Sequence, residues 1–273
     1  MKIRNPAVAG QFYPAYPAKL KNDIEEYLNN AELKKDYTNV FALISPHAGY
    51  IFSGQTAAYG YKTIYGKHYD TVVVLAPSHH IVECAVAVCD YDYYQTPLGN
   101  IPVEKDIVNE LVKYAPIDYS EATHKMEHSL EVQLPFLQTV LSDFSLVPIV
   151  IAYQSLSTAQ RLSEILYDLF ESSDKDILFV LSSDLSHYHD AKTAEGLDKR
   201  LINGVEKMNV RLLDELIRTG SAEACGFACI ETGMLLAEKF NHQNVDIFNY
   251  THSGMVIGDY SQVVGYLSAV FYR

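Results

Sequence analysis

The sequence predicts one α/β domain in which a mixed, largely parallel sheet carries helices on both faces. Nearly continuous apolar runs of strand length, at residues 40–45, 71–76 and 177–183, are typical of strands that are buried on both faces. A segment with helical spacing of apolar residues, 158–171, precedes the last of these runs. This order of strand and helix is usual for parallel pairing. The chain contains no repeat or linker, so one domain over residues 1–273 is expected.

The remaining elements follow from the same spacing rules. Leu20, Ile24 and Leu28 lie on one apolar helix face, which predicts a first helix over residues 17–33. A longer helical pattern, 124–141, contains Pro135, and we expect one helix there that holds the proline near its first turns or bends at it. Further helices are predicted at 55–65, 104–114, 192–208, 210–219 and 228–240, and further strands at 84–89, 146–151, 245–251 and 261–271.

The composition is typical of a globular protein in a reducing compartment. Apolar residues make up 48% of the chain, but no apolar run approaches the roughly 20 residues that cross a bilayer. The amino terminus has no apolar signal core. The four scattered cysteines are too few for a disulfide framework and are expected to be thiols. We therefore expect a cytoplasmic protein that does not enter a membrane.

The charge balance limits the possible partners. The net charge of −13, from 34 acidic and 21 basic residues, argues against a broad electrostatic contact with nucleic acid or anionic lipid. The sequence also lacks the Gly-x-Ser-x-Gly motif of many hydrolases and a Walker-type glycine-rich loop. Hydrolase and nucleotide-binding functions are therefore disfavoured, and a small molecule or a peptide is the expected partner.

Three apolar runs lead into histidines: ALISPHAGY (residues 42–50), VVVLAPSHH (72–80) and ILFVLSSDLSHYHD (177–190). Because ligands of open α/β sheets bind outside the carboxyl ends of the strands, we expect the polar side chains of these runs to meet at one sheet edge. Side chains alternate along an extended segment, so only one of two adjacent histidines should enter the site. The side chains expected to converge are His47, His79, His80, Asp184, His187 and His189.

Two of these histidines, His47 and His79, are the expected metal ligands. Non-haem iron takes two histidines and a carboxylate on one face, and catalytic zinc takes three protein ligands and a water. The spacing leaves the third ligand open among six residues that are all chemically able to bind a metal: Asp184, Glu127, His128, Glu131, His187 and Cys225.

Three of these six residues have two interpretations. Cys225 precedes a predicted helix, where a thiol becomes a thiolate more readily, but it is equally compatible with a small buried apolar residue. Asp184 either orients His187 as an acid or base near pH 7, or caps the turn while His187 closes the pocket. The residues alone leave these alternatives open.

Several longer motifs occur in a fixed order over most of the chain: GQFYP, ISPHAGYIFSG, LAPSHH, EHSLEVQLPFL, VLSSDLSHY and ACGFACIETG. Together they resemble the Memo family, whose prokaryotic members are known as AmmeMemoRadiSam system protein B. The resemblance implies a three-layer α/β/α sandwich with a mixed, largely parallel sheet, similar to the class III extradiol dioxygenases. It also implies AMMECR-type and radical-SAM proteins as partners.

Residue by residue, the resemblance implies that His47 and His79 bind the metal and that Cys225 is the third ligand. Asp184 and His187 match pocket residues, and His187 stands at the position of the dioxygenases' catalytic base. Those enzymes have a glutamate where this chain has Cys225, and a thiolate is a softer ligand that accepts copper or zinc as well as iron. The implied function is an iron- or copper-dependent, dioxygenase-like redox enzyme. The alternative is a non-catalytic module that binds a peptide or phosphopeptide.

Overall fold

The computed structural model describes residues 1–273 as one mixed α/β fold. The strands are β1 (Ile3–Arg4), β2 (Val40–Ser45), β3 (Thr71–Pro77), β4 (Val86–Val88), β5 (Tyr93–Thr96), β6 (Gly99–Pro102), β7 (Ile117–Tyr119), β8 (Ser145–Ile151), β9 (Ile177–Ser182), β10 (His187–His189), β11 (Asn244–His252) and β12 (Val263–Tyr272). The helices are α1 (Pro17–Asn30), α2 (Tyr50–Lys62), α3 (Lys105–Leu111), α4 (Glu121–Lys125), α5 (His128–Glu131), α6 (Leu134–Val140), α7 (Leu156–Phe170), α8 (Ala191–Glu206), α9 (Val210–Arg218), α10 (Phe227–Lys239) and α11 (Ser253–Ile257).

A nine-stranded sheet organises the molecule. Its order is β10-β12-β2-β9-β3-β8-β4-β7, and β11 pairs with β12 beside this path. The four central strands, β2, β9, β3 and β8, are parallel neighbours, whereas β12 and β4 run antiparallel to the strands they flank. The predicted mixed α/β sheet is confirmed, and its parallel part is the buried centre that the continuous apolar runs indicate.

Helices pack on both faces of this sheet. Gly60 of α2 lies over Leu43 of β2, and Gly233 of α10 lies over Leu181 of β9. Leu43 is in register with Val180, the neighbour of Leu181, so the two leucines point to opposite faces. α1 and α6 pack with α2, whereas α7 and α9 pack with α10. The central strands are therefore covered on both sides.

A buried carboxylate fixes the amino-terminal segment. β1 pairs with β5 in a separate three-stranded sheet, β1-β5-β6. Arg4 and Glu131 form an ion pair in which both side chains are buried. Glu131 also accepts the Ala7 and Val8 N–H groups, at 2.8 and 3.1 Å, and the Tyr13 hydroxyl. Because a buried carboxylate needs donors for its lone pairs, Glu131 holds this segment against α5.

The single helix expected over residues 124–141 is wrong. The stretch forms the end of α4 followed by α5 and α6, with a break at Glu127, which is extended (φ −72°, ψ 123°). The Glu127 carboxylate accepts the Ser129 N–H at the start of α5, and Pro135 lies in the first turn of α6, where its missing N–H breaks no helical bond. The apolar spacing suits one helix, but the Glu127 carboxylate also binds His79, which lies outside this stretch.

The other predicted helices and strands are confirmed, with bounds that agree within a few residues and, for α2, within five residues. The structure adds elements that are not among the predicted ones: β1, β5, β6, β7, β10 and α11. Of these, β10 forms because His187 and His189 pair with β12. No helix combines the length and the apolar character that a membrane crossing requires.

One buried carboxyl group has no partner. Glu231 of α10 is fully buried, and neither of its carboxyl oxygens has a hydrogen-bond partner. Burial, and then Asp214 on α9, raises the pKa of Glu231 to about 8. At pH 7 the group is therefore protonated in the folded chain, whereas the pKa of a glutamate in the unfolded chain is near 4.5.

We expect Glu231→Gln to raise the free energy of unfolding by about 2–4 kcal/mol at pH 8 and by little near pH 4. Between these pH values the folded chain keeps a proton that the unfolded chain has released, so the stability of the wild type falls as the pH rises. The glutamine removes this dependence. Urea unfolding at the two pH values measures the difference. The control is Glu238→Gln at an exposed position of the same helix, and an equal gain in both variants would contradict the prediction.

Candidate metal centre

Three histidine rings meet at the carboxyl edge of the central strands. His47 follows β2, His79 follows β3, and β9 lies between these strands. His128, the first residue of α5, completes the group. The ring centroids are 5.2 Å apart for His47 and His79, 4.6 Å for His79 and His128, and 5.6 Å for His47 and His128. One ring nitrogen of each residue lies within 4.8 Å of the others, which is close enough for one metal ion to bind all three.

Hydrogen bonds determine which nitrogen of His47 carries the proton. The Ser182 hydroxyl donates to the Ser129 carbonyl at 2.7 Å and accepts from the Gln133 amide at 2.8 Å. Ser182 Oγ is also 2.8 Å from His47 Nδ1, and since its own proton is used, Nδ1 must be the donor. Nε2 is left with its lone pair. Burial, followed by the neighbouring imidazoles, lowers the pKa of His47 well below 6.5, so the ring is neutral.

Glu127 orients the other two rings. Its carboxylate accepts the His79 Nδ1–H at 2.9 Å and the His79 backbone N–H at 2.6 Å, and it lies 3.4 Å from His128 Nδ1. Burial acts to raise the pKa of Glu127, but the hydrogen bonds from His79 and Ser129 outweigh it and lower that pKa below its ordinary value. Burial also lowers the pKa of His128 to about 4. A carboxylate behind the ring is a common partner of a metal-binding histidine.

The Cys225 thiol lies against His47. Its Sγ is 3.2 Å from His47 Nε2 and accepts the Asp184 N–H at 3.3 Å. Burial, and then the Asp184 carboxylate, raises the pKa of Cys225 above its ordinary value. Of the two interpretations of Cys225, the raised pKa favours the protonated thiol over the thiolate, because burial outweighs any effect of the helix that begins after the N-cap residue Gly226. In its protonated form the thiol can donate to the lone pair of His47 Nε2.

A close backbone contact places Cys225 in this position. A Cβ atom on Gly226 would lie 2.2 Å from the Ser182 carbonyl oxygen, so only glycine lets this loop approach the end of β9. The Gly226 N–H donates to the Ser183 hydroxyl at 2.9 Å, and the Cys225 N–H donates to the Asp184 carbonyl at 3.2 Å. The loop is thus fixed to the strand end that also holds His47.

Asp184 and His187 lie beside the group, but their hydrogen bonds differ from the expected ones. Asp184 Oδ1 accepts the His47 backbone N–H at 2.8 Å. Burial raises the pKa of Asp184 to about 6 against the opposing effect of that N–H. His187 Nδ1 donates to the Leu185 carbonyl at 2.7 Å. The suggested orientation of His187 by Asp184 is therefore wrong. The Leu185 carbonyl fixes the ring and leaves Nε2 as its free nitrogen.

The remaining candidates have other partners or lie at the margin. His80 is exposed, and its ring centroid is 6.0 Å from that of His128. His189 Nε2 is 2.9 and 3.0 Å from the two carboxylate oxygens of Glu223. Glu131 is occupied by the amino-terminal segment. The strand ends bring these residues to the expected edge, but their own neighbours keep them out of the histidine group.

Two polar residues that shape the site give no signal in the spacing. Ser182 ends a continuous apolar strand, and Gln133 lies in a stretch whose apolar pattern predicts a helix. The Gln133 amide also donates to the Pro46 carbonyl at 3.0 Å, and it accepts the Tyr61 hydroxyl at 2.7 Å. The motif EHSLEVQLPFL, which contains both His128 and Gln133, is the one feature of the sequence that marks this stretch.

The donor atoms fit a transition metal. Nitrogen and sulfur donors favour iron, copper and zinc, whereas magnesium and calcium prefer oxygen. The Nδ1 atoms of His47 and His79 are both occupied by protein acceptors, so each ring keeps a lone pair at Nε2. A cation could bind His47 Nε2 in place of the Cys225 S–H group. A group of three histidines that could hold a metal is therefore present.

Known proteins share this sequence over nearly its whole length. Residues 4–270 match the family model described as Memo-like protein. A MEMO1 family protein of Nitrosopumilus maritimus is 36% identical over 276 residues, covering 97% of this chain and 98% of that protein. Another, from Sulfolobus acidocaldarius, is 39% identical over 286 residues, covering 98% of this chain and 99% of that protein.

The fold is also similar to that of a protein of unknown role. The crystal structure of an uncharacterized protein from Escherichia coli K12 superimposes with a TM-score of 0.53, covering 85% of this chain and 99% of that chain. At 13% identity this likeness shows the fold alone. The family model and the relatives, by contrast, match the chain from end to end. On these matches, the chain belongs to the Memo family.

Proposed function

We propose that this Memo family protein binds a transition metal at the histidine group and uses it in a redox reaction on a small molecule. Iron is the proposed metal, with copper and zinc as alternatives for the same donors. His47 and His79 are two ligands and Cys225 is the third. The observation that carries the proposal is that Ser182 and Glu127 occupy both Nδ1 atoms, which leaves the lone pairs of both rings at Nε2.

Three protein ligands favour a reactive centre over a structural one. Structural zinc is enclosed by four protein ligands, whereas three ligands leave a position open to a substrate. A bound iron ion would supply redox chemistry and a Lewis acid at that position. We also infer that the fold resembles that of the class III extradiol dioxygenases. Cys225, in place of the glutamate of those enzymes, makes the donor set softer.

His187 is the proposed acid or base. The Leu185 carbonyl holds the proton on Nδ1, so Nε2 is free to accept a proton from a substrate hydroxyl and to return it. Asp184 positions two ligands at once, because it accepts the His47 backbone N–H and donates its own N–H to the Cys225 sulfur. In this proposal His47 and Cys225 bind the metal, Asp184 positions them and His187 transfers a proton.

Substitution of the ligands should remove the metal. We expect His47→Ala and Cys225→Ala to lower the iron content of freshly purified protein to less than about a tenth of the wild-type value, since the loss of one of three ligands weakens binding strongly. His128→Ala should keep most of the metal, because Cys225 takes the third position. Elemental analysis measures the content. His189→Ala, at the same edge but outside the group, is the control.

Two results would change the ligand set. Wild-type metal content in both His47→Ala and Cys225→Ala would overturn it. Loss of metal in His128→Ala together with retention in Cys225→Ala would make His128 the third ligand. Circular dichroism of each variant separates loss of a ligand from loss of the fold.

Ser182→Ala should weaken metal binding although Ser182 is not a ligand. The variant removes the acceptor of His47 Nδ1–H, so the ring is free to rotate or to move its proton to Nε2, and we expect the metal affinity to fall about 10–100-fold. Chelator competition measures the affinity, and nitrogen NMR of the His47 ring reports the position of the proton. Ser163→Ala, another buried serine, is the control. Unchanged affinity in Ser182→Ala would contradict this role.

Oxygen consumption tests the redox part of the proposal. Protein loaded anaerobically with iron is expected to take up oxygen with at least one member of a catechol panel. His187→Ala should lower that rate about 100-fold, since it removes the proton acceptor. Absence of turnover by fully iron-loaded wild-type protein would contradict the proposed dioxygenase-like reaction. It would not contradict the proposed metal site.

A further inference from the structure

We propose that a second pocket, the side cleft, binds a neutral apolar group of about the size of one ring that carries a hydroxyl. The proposal rests on the proposed function, because it identifies the part of a substrate that would lie beside the metal. The cleft has a volume of about 230 Å³ between the end of α9, the loop before α10 and the loop after β9. Its lining includes Leu185, Ile217, Ala222, Phe227, Cys225 and His187.

The size and lining of the side cleft suit one apolar ring. An apolar cavity of about 150 Å³ is large enough to hold benzene, so this cleft accommodates a substituted ring or a branched chain but not a larger ligand as a whole. Leu185 and Ala222 are buried, and Ile217 and Phe227 are half-buried. Apolar surface that a ligand covers here contributes about 25 cal/mol per Å² to its binding.

Two lining residues connect the side cleft to the metal site. Cys225 Sγ lies 3.2 Å from His47 Nε2, so the cleft begins where the histidine group ends. The ring of His187 is held through Nδ1 by the carbonyl of Leu185, itself a lining residue, and this leaves Nε2 as an acceptor. A hydroxyl on the ligand is the donor that suits this nitrogen.

Glu223 selects against anionic ligands. It is the charged member of the lining, and its carboxylate is bound to His189 at 2.9 and 3.0 Å. A ligand carboxylate or phosphate would face this group, and the lining contains no lysine or arginine to offset the repulsion. The side cleft therefore favours a neutral group.

An exposed aromatic side chain lies beside the site. Tyr188 is 72% exposed and has a φ of +61°, a conformation that is uncommon for an aromatic residue and that turns it away from its strand neighbours. Its ring centroid is 5.7 Å from that of His187. An exposed aromatic ring next to a histidine of the site is compatible with the binding of an apolar ligand.

The test compares a neutral probe with a slightly larger anionic one, para-fluorophenol and para-fluorobenzoate. Fluorine NMR titrations are made with metal-free and with iron-loaded protein. We expect the phenol to bind at least about ten-fold more tightly than the benzoate in the metal-free protein, where no open metal position can bind the carboxylate. Ile217→Phe fills the cleft and should weaken phenol binding about ten-fold or more. Leu216→Phe, at the adjacent position outside the lining, should leave it unchanged.

The outcomes separate the side cleft from the metal site. Equal affinity for the two probes would overturn the selection by charge, and wild-type phenol binding in Ile217→Phe would overturn the cleft. Ile217→Ala, which removes contacts without adding bulk, should also weaken phenol binding and serves if the larger residue disturbs the fold. Phenol binding that depends on Ile217 in protein unable to retain iron would support the cleft while the metal proposal fails. Iron retention without phenol binding would support the metal site and overturn the side cleft.

Discussion

The carboxyl end of β9 is the constraint on which the site depends. Ser182 accepts the Nδ1 proton of His47, and Asp184 accepts the His47 backbone N–H. The same strand end holds Cys225, because the sulfur accepts the Asp184 N–H and Gly226 packs directly on the Ser182 carbonyl. β9 lies between the strands that lead to His47 and His79. Because His47 and Cys225 are both held by this central strand, Cys225 Sγ lies 3.2 Å from His47 Nε2 although the two residues are far apart in the sequence.

The same site carries little charge of its own and extends from the buried His47 to the exposed His79. Burial keeps His47 and His128 neutral by lowering their pKa values, and it keeps Cys225 protonated by raising its pKa. The firmly ionised group is Glu127, whose charge is satisfied by donors from His79 and Ser129. Lone pairs of neutral rings that face one another repel, and a cation relieves this repulsion without any need to deprotonate a ring. The electrostatics therefore favour a metal more than they favour an anion.

The apolar periodicity of the sequence predicts where the strands end, but it does not predict the tertiary contacts that form at those ends. His47 and His79 follow continuous apolar runs, and parallel strands bring their carboxyl ends to one edge, so their meeting follows from periodicity and topology. His128 is different, because it reaches the group through a helix break that depends on hydrogen bonds between Glu127 and His79, 48 residues apart. The position of Cys225 depends on a backbone contact that only Gly226 permits. Neither contact leaves a periodic signal, and for that reason Cys225 is implied as the third ligand by the resemblance to a family rather than by the spacing.

In the proposed ligand set, a cysteine in the third position has a consequence that a carboxylate would not have. A carboxylate already carries its charge at neutral pH, whereas burial keeps Cys225 in the thiol form. A metal ion must therefore displace the thiol proton, and ions with a high affinity for sulfur do so most readily. Magnesium and calcium bind oxygen ligands and gain nothing from this sulfur. In the proposed ligand set the Cys225 thiol therefore favours metal ions with a high affinity for sulfur.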